Sequence, residues 1–316
     1  MKVALIIPTW NAAPWWDALV KGIRLQSLKP DQVIVVDSSS ADGTAGRARA
    51  AGFTVVEIDR EAFHHGGTRH AAALSVPHAD ILVYLTQDAI PRGPGSFHNL
   101  VAAFRDPAVG AAYGRQIPRL QASAIEAHAR LFNYPPSSQV RSWDSRSTLG
   151  FKSIFFSNSF GAFRRGALLS VGGFSPQAAF GEDTLAVAHL HRAGWKTAYV
   201  ANALVEHSHA HSLKAEFRRY FDIGNFHRRE RWLIEEFGSA TGEGRRFVIS
   251  ELRYLLSHSP LQLPSALLST LLKVVAYHAG RCEGRLPAWL KRWTSRGAEE
   301  SLATHPSRLP SYQEKA

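Results

Sequence analysis

Short apolar runs alternate with amphipathic or polar stretches through the first 90 residues. The runs are rich in β-branched residues and predict strands at 3–7, 32–36, 53–58 and 80–86. The stretches between them have the spacing or composition of helices, at 15–26, 44–51 and 68–75. Strands that alternate with helices pair in parallel through right-handed crossovers, so this half of the chain predicts an α/β fold.

The pattern changes after residue 95. Mixed segments predict helices and strands at 96–104, 109–115, 122–132, 182–193 and 196–200, and the polar segment 135–153 predicts a long loop. Long helical patterns then dominate, at 213–237 and 247–279, and the polar tail after about residue 295 is expected to be loose. We therefore predict two parts, an α/β domain at 1–211 and a helical C-terminal extension at 212–316.

Polar residues follow the C-terminal ends of three predicted strands. Pro8 and Thr9 follow the first strand, Asp37 ends the second, and Asp88 follows the fourth in the stretch "YLTQDA". Because ligands bind beyond the carboxyl ends of the strands in open parallel sheets, these residues predict one rim of a binding site. The alternative is that each acid only caps the turn or helix that follows it.

Two further groups of residues suit metal binding or proton transfer. Asp88 is a hard oxygen ligand for Mg²⁺ or Mn²⁺, and His207, His209 and His211 would face one side of an extended segment, as a metal-binding trio or as solvated loop histidines. Glu182 and Asp183 lie at the start of the predicted helix 182–193, where acids favour the first turn. A carboxylate fixed there and facing a pocket is also suited to take a proton from a hydroxyl.

Composition and net charge narrow the range of possible partners only slightly. The formal net charge is +11, and residues 211–316 contain 17 Lys and Arg against 11 Asp and Glu. Such an excess favours nucleic acid, an anionic membrane surface or a phosphorylated small molecule as a partner. The single cysteine, Cys282, excludes a disulfide framework, and no apolar run has the length of a spanning helix or the form of a signal peptide.

The order of the motifs resembles the family 2 inverting glycosyltransferases. The likeness covers about residues 1–212 and rests on "IIPTWN", "VVDSSSADGT", an arginine at a helix start, the acid after the fourth strand, "FGEDTLAVAHLHRAGW" and "VEH". Within that family, "FHHGGTRH" and "LTQDA" resemble the rhamnosyltransferase branch, which uses dTDP-L-rhamnose. The resemblance implies a GT-A fold, in which a Rossmann-like nucleotide-binding sheet is fused to an acceptor-binding half.

The resemblance also implies roles for individual residues. The positions of the donor nucleotide site correspond to Pro8, Thr9, Asp37 and Arg69. Asp88 matches the last acid of the family's Asp-x-Asp motif, which holds the metal, and Thr86 stands where the first acid would be. His207 matches a metal ligand of some members, with His209 as the competing assignment, and Gln87 is placed to touch the donor sugar. Asp183 matches the catalytic base, with Glu182 beside it.

These roles predict a metal-assisted inverting transfer with Mg²⁺ or Mn²⁺ as cofactor. Asp183 would deprotonate an acceptor hydroxyl on a glycan or lipid-linked saccharide, in bacterial surface polysaccharide synthesis. A UDP- or GDP-sugar donor is the first alternative, and a non-enzymatic nucleic-acid-binding protein, motivated by the charge, is the second. A glycoside hydrolase fits poorly, because neighbouring Glu182 and Asp183 cannot flank a substrate from opposite sides.

The predicted location is the cytoplasm, with peripheral attachment to the inner face of the cytoplasmic membrane through residues 212–295. In this segment basic and aromatic residues interleave, among them Arg218, Arg245, Phe221, Trp232 and Phe247. The alternative is that these aromatic side chains pack on the catalytic domain.

Overall fold

The computed structural model describes residues 1–176, 178, 180–208, 212–239, 241–285 and 287. Its strands are β1 (Val3–Thr9), β2 (Gln32–Asp37), β3 (Thr54–Glu57), β4 (Ile81–Leu85), β5 (Ile90–Pro91), β6 (Val109–Ile117), β7 (Gln139–Arg141), β8 (Phe160–Arg164) and β9 (Lys196–Glu206). The helices of the first half are α1 (Ala13–Arg24), α2 (Thr44–Ala50), α3 (His65–Leu74), α4 (Ser96–Ala102), α5 (Ala124–Asn133) and α6 (Arg146–Leu149). The remaining helices are α7 (Arg165–Ser170), α8 (Glu182–Arg192), α9 (Leu213–Arg229), α10 (Arg231–Phe237), α11 (Thr241–His258) and α12 (Leu263–Arg281).

One mixed sheet organises the molecule, in the order β3-β2-β1-β4-β8-β6-β9-β5, with β7 paired to β9. The first four strands, β1 to β4, are parallel to one another, as the alternation of strand and helix predicts. Strand β8 is antiparallel to both β4 and β6. The carboxyl ends of β1, β2 and β4 therefore meet at one edge, where the predicted rim lies.

Alternate residues of the buried strands enter two apolar clusters, one on each face of the sheet. Leu5 and Val35 join the face covered by α1 and α4, and Ile6 and Ile34 join the face covered by α3 and α8. The second face also includes Phe226, Leu233 and Phe237 of α9 and α10. The C-terminal helices therefore contribute to the core that covers the sheet.

Two sequence-based expectations differ from the structure. Helix α3 begins at His65 and not at the predicted residue 68, so the "GGTR" run lies inside the helix. A Cβ atom at Gly66 would lie 2.0 Å from the carbonyl oxygen of Ser175, so this glycine admits the protein's own backbone. The predicted loop 135–153 contains β7 and α6, because the buried Arg141 side chain donates to the Lys152 and Phe155 carbonyl oxygens.

The C-terminal helical patterns are each divided in two. The segment 213–237 breaks at Glu230 into α9 and α10, and the 247–279 pattern spans the end of α11 and α12. Pro260 and Pro264 explain the second break, because a proline removes a backbone donor and is tolerated only in the first turn of a helix. The tail after residue 295 lies outside the described residues.

Helices α9 and α12 pack at backbone contact. A Cβ atom at Gly224 would lie 2.1 Å from the Tyr277 carbonyl oxygen, and one at Gly280 would lie 2.0 Å from the Phe221 carbonyl oxygen. These two glycines bring the helices closer than any larger residue permits. Among the described residues, no helix is long and apolar enough to cross a bilayer.

Candidate active site

Asp37 anchors the loop that follows β2. Its carboxylate accepts hydrogen bonds from the Thr9 hydroxyl at 2.9 Å and from the Ser40 hydroxyl at 2.6 Å and amide at 2.9 Å. Pro8 precedes this contact and is aligned with Val36 across the β1–β2 pair. The structure therefore brings Pro8, Thr9 and Asp37 together at the rim, with the Asp37 carboxylate buried and accepting three hydrogen bonds.

Gln87 contacts the segment that follows β1. Its side-chain oxygen accepts the Trp10 amide at 2.7 Å, and its side-chain nitrogen donates to the Trp10 carbonyl oxygen at 3.0 Å. This two-point contact ties the end of β4 to the end of β1. The predicted contact between Gln87 and a donor sugar remains a prediction.

Asp88 and His207 face each other at the same edge. The Asp88 Oδ2 and His207 Nε2 atoms lie 3.4 Å apart, and both side chains are almost completely buried. Asp88 follows β4 and His207 follows β9, which extends to Glu206 and beyond the predicted end at residue 200. His209 and His211 lie outside the described residues.

Gln116 determines which nitrogen of His207 carries the proton. The Gln116 side-chain oxygen lies 2.8 Å from His207 Nδ1 and also accepts a hydrogen bond from Arg130 at 2.8 Å. An oxygen that only accepts requires the proton on Nδ1, so a neutral imidazole has its lone pair on Nε2, the nitrogen beside Asp88. Burial lowers the pKa of His207 overall, although the Asp88 carboxylate opposes that shift, and a lowered pKa favours the neutral imidazole.

A neutral imidazole nitrogen beside a carboxylate oxygen is a suitable donor pair for Mg²⁺ or Mn²⁺. The described part of the chain has no group of three or more His, Cys, Asp or Glu residues that would hold a metal ion. Thr86, at the position of the first family acid, uses its amide to bond the Ser159 carbonyl oxygen. The protein pair would therefore need oxygen ligands from a bound substrate.

Glu182 and Asp183 are adjacent at the start of α8 but differ in environment. The Glu182 carboxylate lies 3.2 Å from Arg69 Nη1 and accepts the Asn158 side-chain amide at 3.1 Å. Burial opposes its charge, yet the positive charges of Arg69 and His65 lower the pKa of Glu182 overall. Arg69, predicted at the nucleotide, therefore lies against Glu182, and its nucleotide contact remains a prediction.

Asp183 has the opposite electrostatic setting. Its two oxygens accept the backbone amides of Asn158 at 3.1 Å and Thr184 at 2.7 Å. Burial, together with the negative charge of Glu182, raises the pKa of Asp183 to about 7. A carboxylate with that pKa is matched to accept a proton from a hydroxyl near neutral pH.

Hydrogen bonds from the loop before β8 connect the Asp88–His207 pair to the Glu182–Asp183 pair. The sequence alone did not predict this connection. The Ser157 hydroxyl accepts the Gln116 side-chain amide at 2.9 Å, and the next residue, Asn158, bonds both Glu182 and Asp183. Gln116, Arg130 and Asn158 carry no recognisable motif.

Gly181 links the start of α8, where Asp183 lies, to the C-terminal helices. It has φ of +74°, and a Cβ atom there would lie 2.8 Å from the Phe226 ring of α9. A larger residue at position 181 would be strained by the left-handed backbone and would also clash with the Phe226 ring, so glycine is required. Helix α9 therefore helps to fix the start of α8, where Asp183 lies.

The parallel strands β1 to β4, the acid pair at the start of α8 and the carboxylate–imidazole pair at the rim agree with the glycosyltransferase family that the motif order resembles. Residues 1–221 match the family model described as glycosyltransferase like family 2. The chain therefore belongs to glycosyltransferase family 2, and the predicted family and enzyme class are confirmed.

Two relatives share most of the chain. It is 42% identical over 296 residues to the O-antigen chain rhamnosyltransferase RfbN of Salmonella typhimurium, covering 93% of this chain and 94% of the relative. It is 39% identical over 292 residues to the O-antigen chain rhamnosyltransferase WbaN of Salmonella anatum, covering 92% and 93%. The predicted resemblance to rhamnosyltransferases is confirmed by these two relatives.

Solved structures support the fold. The mannosyltransferase PcManGT of Pyrobaculum calidifontis, solved with GDP-Man and Mn²⁺, has a TM-score of 0.55 at 20% identity and covers 96% of this chain and 85% of its own. The S. aureus TarS structure with UDP-GlcNAc has a TM-score of 0.53 at 12% identity and covers 90% and 92%. The predicted GT-A fold with a helical C-terminal region is confirmed.

Proposed function

We propose that this glycosyltransferase moves L-rhamnose from dTDP-L-rhamnose to a hydroxyl of a lipid-linked saccharide in bacterial surface polysaccharide synthesis. The observation that carries the donor assignment is the 42% identity, over 94% of its length, to a relative named as an O-antigen chain rhamnosyltransferase. The alternatives of a nucleic-acid-binding protein and a glycoside hydrolase are set aside, because the family is one of glycosyltransferases.

Asp183 is the proposed base. Its carboxylate takes the proton of the acceptor hydroxyl as the oxygen forms a bond to the anomeric carbon of rhamnose. The bond from that carbon to the diphosphate oxygen breaks, and dTDP leaves from the opposite face with the bonding electrons. The configuration inverts, so a β-linked donor gives an α-rhamnoside.

Glu182 has a separate role in this proposal. Its ion pair with Arg69 and its bond from Asn158 keep it charged beside Asp183. That charge contributes to the raised pKa of Asp183 and so increases its basicity. Glu182 therefore positions and tunes the base without exchanging a proton with the substrate.

Asp88 and His207 are the proposed ligands of Mg²⁺ or Mn²⁺. Two observations support this proposal: Asp88 Oδ2 and His207 Nε2 lie 3.4 Å apart, and the Gln116 contact with Nδ1 leaves Nε2 of a neutral imidazole able to bind an ion. When bound, the ion would neutralise charge on the leaving diphosphate. Thr9 and Asp37 lie at the same rim and would hold the nucleoside end of the donor.

The cytoplasm, at the inner face of the membrane, is the proposed place of action. Residues 211–316 carry 17 basic against 11 acidic residues, an excess that favours an anionic surface. A lipid-linked acceptor would be presented at that surface.

The donor assignment is tested with purified enzyme, Mn²⁺, a lipid-linked saccharide acceptor and three donors. We expect transfer from dTDP-L-rhamnose and none above background from UDP-glucose or GDP-mannose. Nuclear magnetic resonance of the product should show an α-rhamnosidic linkage. More rapid transfer from either other donor contradicts the proposal, and a β-linked product contradicts inversion at this site.

A further inference from the structure

Helix α12 presents an apolar face to solvent. Residues at 267, 268, 271, 274 and 275 share one side of a helix with 3.6 residues per turn. The side chains of that side are Leu267, Leu268, Leu271, Val274 and Val275, each between 51% and 63% exposed. We call these five residues the α12 face.

The α12 face is not the side of the helix that packs against α9. The opposite side of α12 packs on α9 through the buried Ala266, Ser269, Ala276 and Gly280. Exposed aliphatic residues continue at the end of α11 and the following turn, with Leu256 at 63% and Leu261 at 93% exposure. Exposed aliphatic side chains that share one side of a helix, as those of the α12 face do, mark an interaction surface.

The charges around the α12 face have one sign. From residue 244 to residue 282 the only acidic residue is Glu251, which is buried. Arg245 and Arg253 of α11 and Arg281 at the end of α12 are exposed. An apolar face bordered by exposed arginines matches an anionic lipid surface, where aliphatic side chains enter the headgroup region and arginines meet phosphates.

The three aromatic residues named above for membrane contact pack within the protein instead. Phe221 is fully buried, Phe247 packs against His128 and Phe132, and Trp232 packs under Arg192 and against His189. For these three side chains the alternative, packing within the protein, is the one the structure shows.

We infer that the α12 face is the surface by which this enzyme docks on an anionic phospholipid bilayer. The inference rests on the proposed function in one respect, that the acceptor is lipid-linked. Two copies of the chain joined through this face would bring the arginines of the same helices together, which favours lipid over a second copy. Helix α12 packs along α9, whose Phe226 contacts Gly181 beside the base, so docking would set the site close to the bilayer.

Vesicle flotation tests the inference with a double variant and a matched control. Leu267→Gln/Leu271→Gln alters leucines that are 53% and 63% exposed, and Leu74→Gln/Leu25→Gln alters leucines that are 52% and 60% exposed on other helices. The vesicles are phosphatidylcholine alone or mixed with phosphatidylglycerol. We expect wild type and control to float with the anionic vesicles and the α12 variant to lose about tenfold or more in partitioning.

Added salt should weaken flotation of the wild type, because salt screens the attraction between the arginines and the anionic headgroups. Equal flotation of the α12 variant and the wild type overturns the inference, as does failure of the wild type to bind anionic vesicles. A wild-type dimer in sedimentation velocity that the α12 variant abolishes also overturns it, by assigning the face to a second copy.

A detergent assay separates this inference from the proposed function. With acceptor and enzyme in detergent micelles, the α12 variant should transfer rhamnose at the wild-type rate, because the site is untouched. With acceptor in vesicles, its rate should fall with its partitioning. Absence of rhamnose transfer by the wild type in detergent, with flotation intact, refutes the proposed function and leaves the docking surface standing.

Discussion

Two adjacent acids at the start of α8 have opposite properties because their neighbours differ. Arg69 lies 3.2 Å from Glu182, whereas Asp183 has only backbone amides and the Thr184 hydroxyl as hydrogen-bond donors in the described part of the chain. The pKa of Glu182 is therefore lowered despite burial, and that of Asp183 is raised to about 7. Adjacent positions on one helix therefore hold a carboxylate in an ion pair, Glu182, and the carboxylate proposed as the base, Asp183.

Turnover should depend on pH through Asp183. The base acts only when deprotonated, so kcat should rise with pH, with a midpoint of about 7, and level off above it. Glu182→Gln removes a neighbouring negative charge and should move that midpoint to lower pH. A pH–rate profile of both proteins measures this, and an unchanged midpoint in Glu182→Gln would contradict the electrostatic coupling.

Asp183→Asn should lower turnover by about 10²-fold or more while donor affinity stays nearly unchanged. Asp88→Asn should weaken donor binding instead, and higher Mn²⁺ should partly restore it. Turnover and donor affinity across a Mn²⁺ titration, with melting curves alongside, separate the two roles. Near-wild-type turnover in folded Asp183→Asn would remove the base assignment.

Stability should respond to the same substitution with a defined sign. The folded protein raises the Asp183 pKa from its ordinary value of 3.8 to about 7, so folding favours the protonated form. The associated stability is present at low pH and is lost as pH rises toward 7. Because asparagine does not titrate, the melting temperature of Asp183→Asn relative to wild type should increase between pH 5 and pH 8, which calorimetry measures.

Gln116 is a positioning residue for His207. Gln116→Leu removes the acceptor of the Nδ1 proton, and we expect Mn²⁺ affinity to fall by about tenfold or more. Gln26→Leu is the matched control, since Gln26 is equally buried and accepts the Phe97 amide away from the site. Electron paramagnetic resonance of free Mn²⁺ measures affinity without turnover, and equal affinities in the two variants would contradict the role.

At the scale of elements, the contact between α9 and α12 depends on two glycines. Gly224→Ala would place a Cβ atom 2.1 Å from the Tyr277 carbonyl oxygen, so the helices must separate. We expect a loss of about 1–3 kcal/mol in the free energy of unfolding. Gly244→Ala in α11 meets no atom within 4 Å and should be neutral or stabilising, because alanine favours a helix.

Denaturant unfolding of both alanine variants makes that comparison. Equal stabilities would show that the helical pair adjusts without cost.

Element prediction from the sequence was accurate for β1 to β4. The apolar runs of β1 and β4 are short and buried on both faces, whereas β3, at the edge of the sheet, has no fully buried residue. Element prediction missed β7, because a three-residue edge strand leaves almost no pattern and is defined by its pairing with β9.

At the scale of the whole molecule, the predicted boundary at residue 211 meets a shared core. Phe226, Leu233 and Phe237 belong to the apolar cluster of the sheet. A chain of residues 1–211 would lose these three side chains, and removing even one buried aromatic residue costs about 3–5 kcal/mol. We expect this fragment to show no cooperative melting transition by circular dichroism, with the full chain measured in parallel. A cooperative transition would establish 1–211 as an independent domain.

The motif order along the chain was enough to predict the family, the parallel sheet and the acids at its rim. These features are local: a β-branched run followed by a polar residue predicts both a strand and its functional end. The adjacent acids of "FGEDT" and the carboxylate of "LTQDA" are recognisable for the same reason.

Tertiary structure decided the pKa values and the protonation of those groups. Arg69 and Glu182 are 113 positions apart in the sequence, and Gln116 and His207 are 91 apart, yet each pair is in contact. Desolvation and charge act over a few ångströms in space, so the raised pKa of Asp183 and the tautomer of His207 depend on contacts that no local pattern encodes. The exposure of the α12 face is decided in the same way, because a helical pattern shows which residues share a side but not which side is buried.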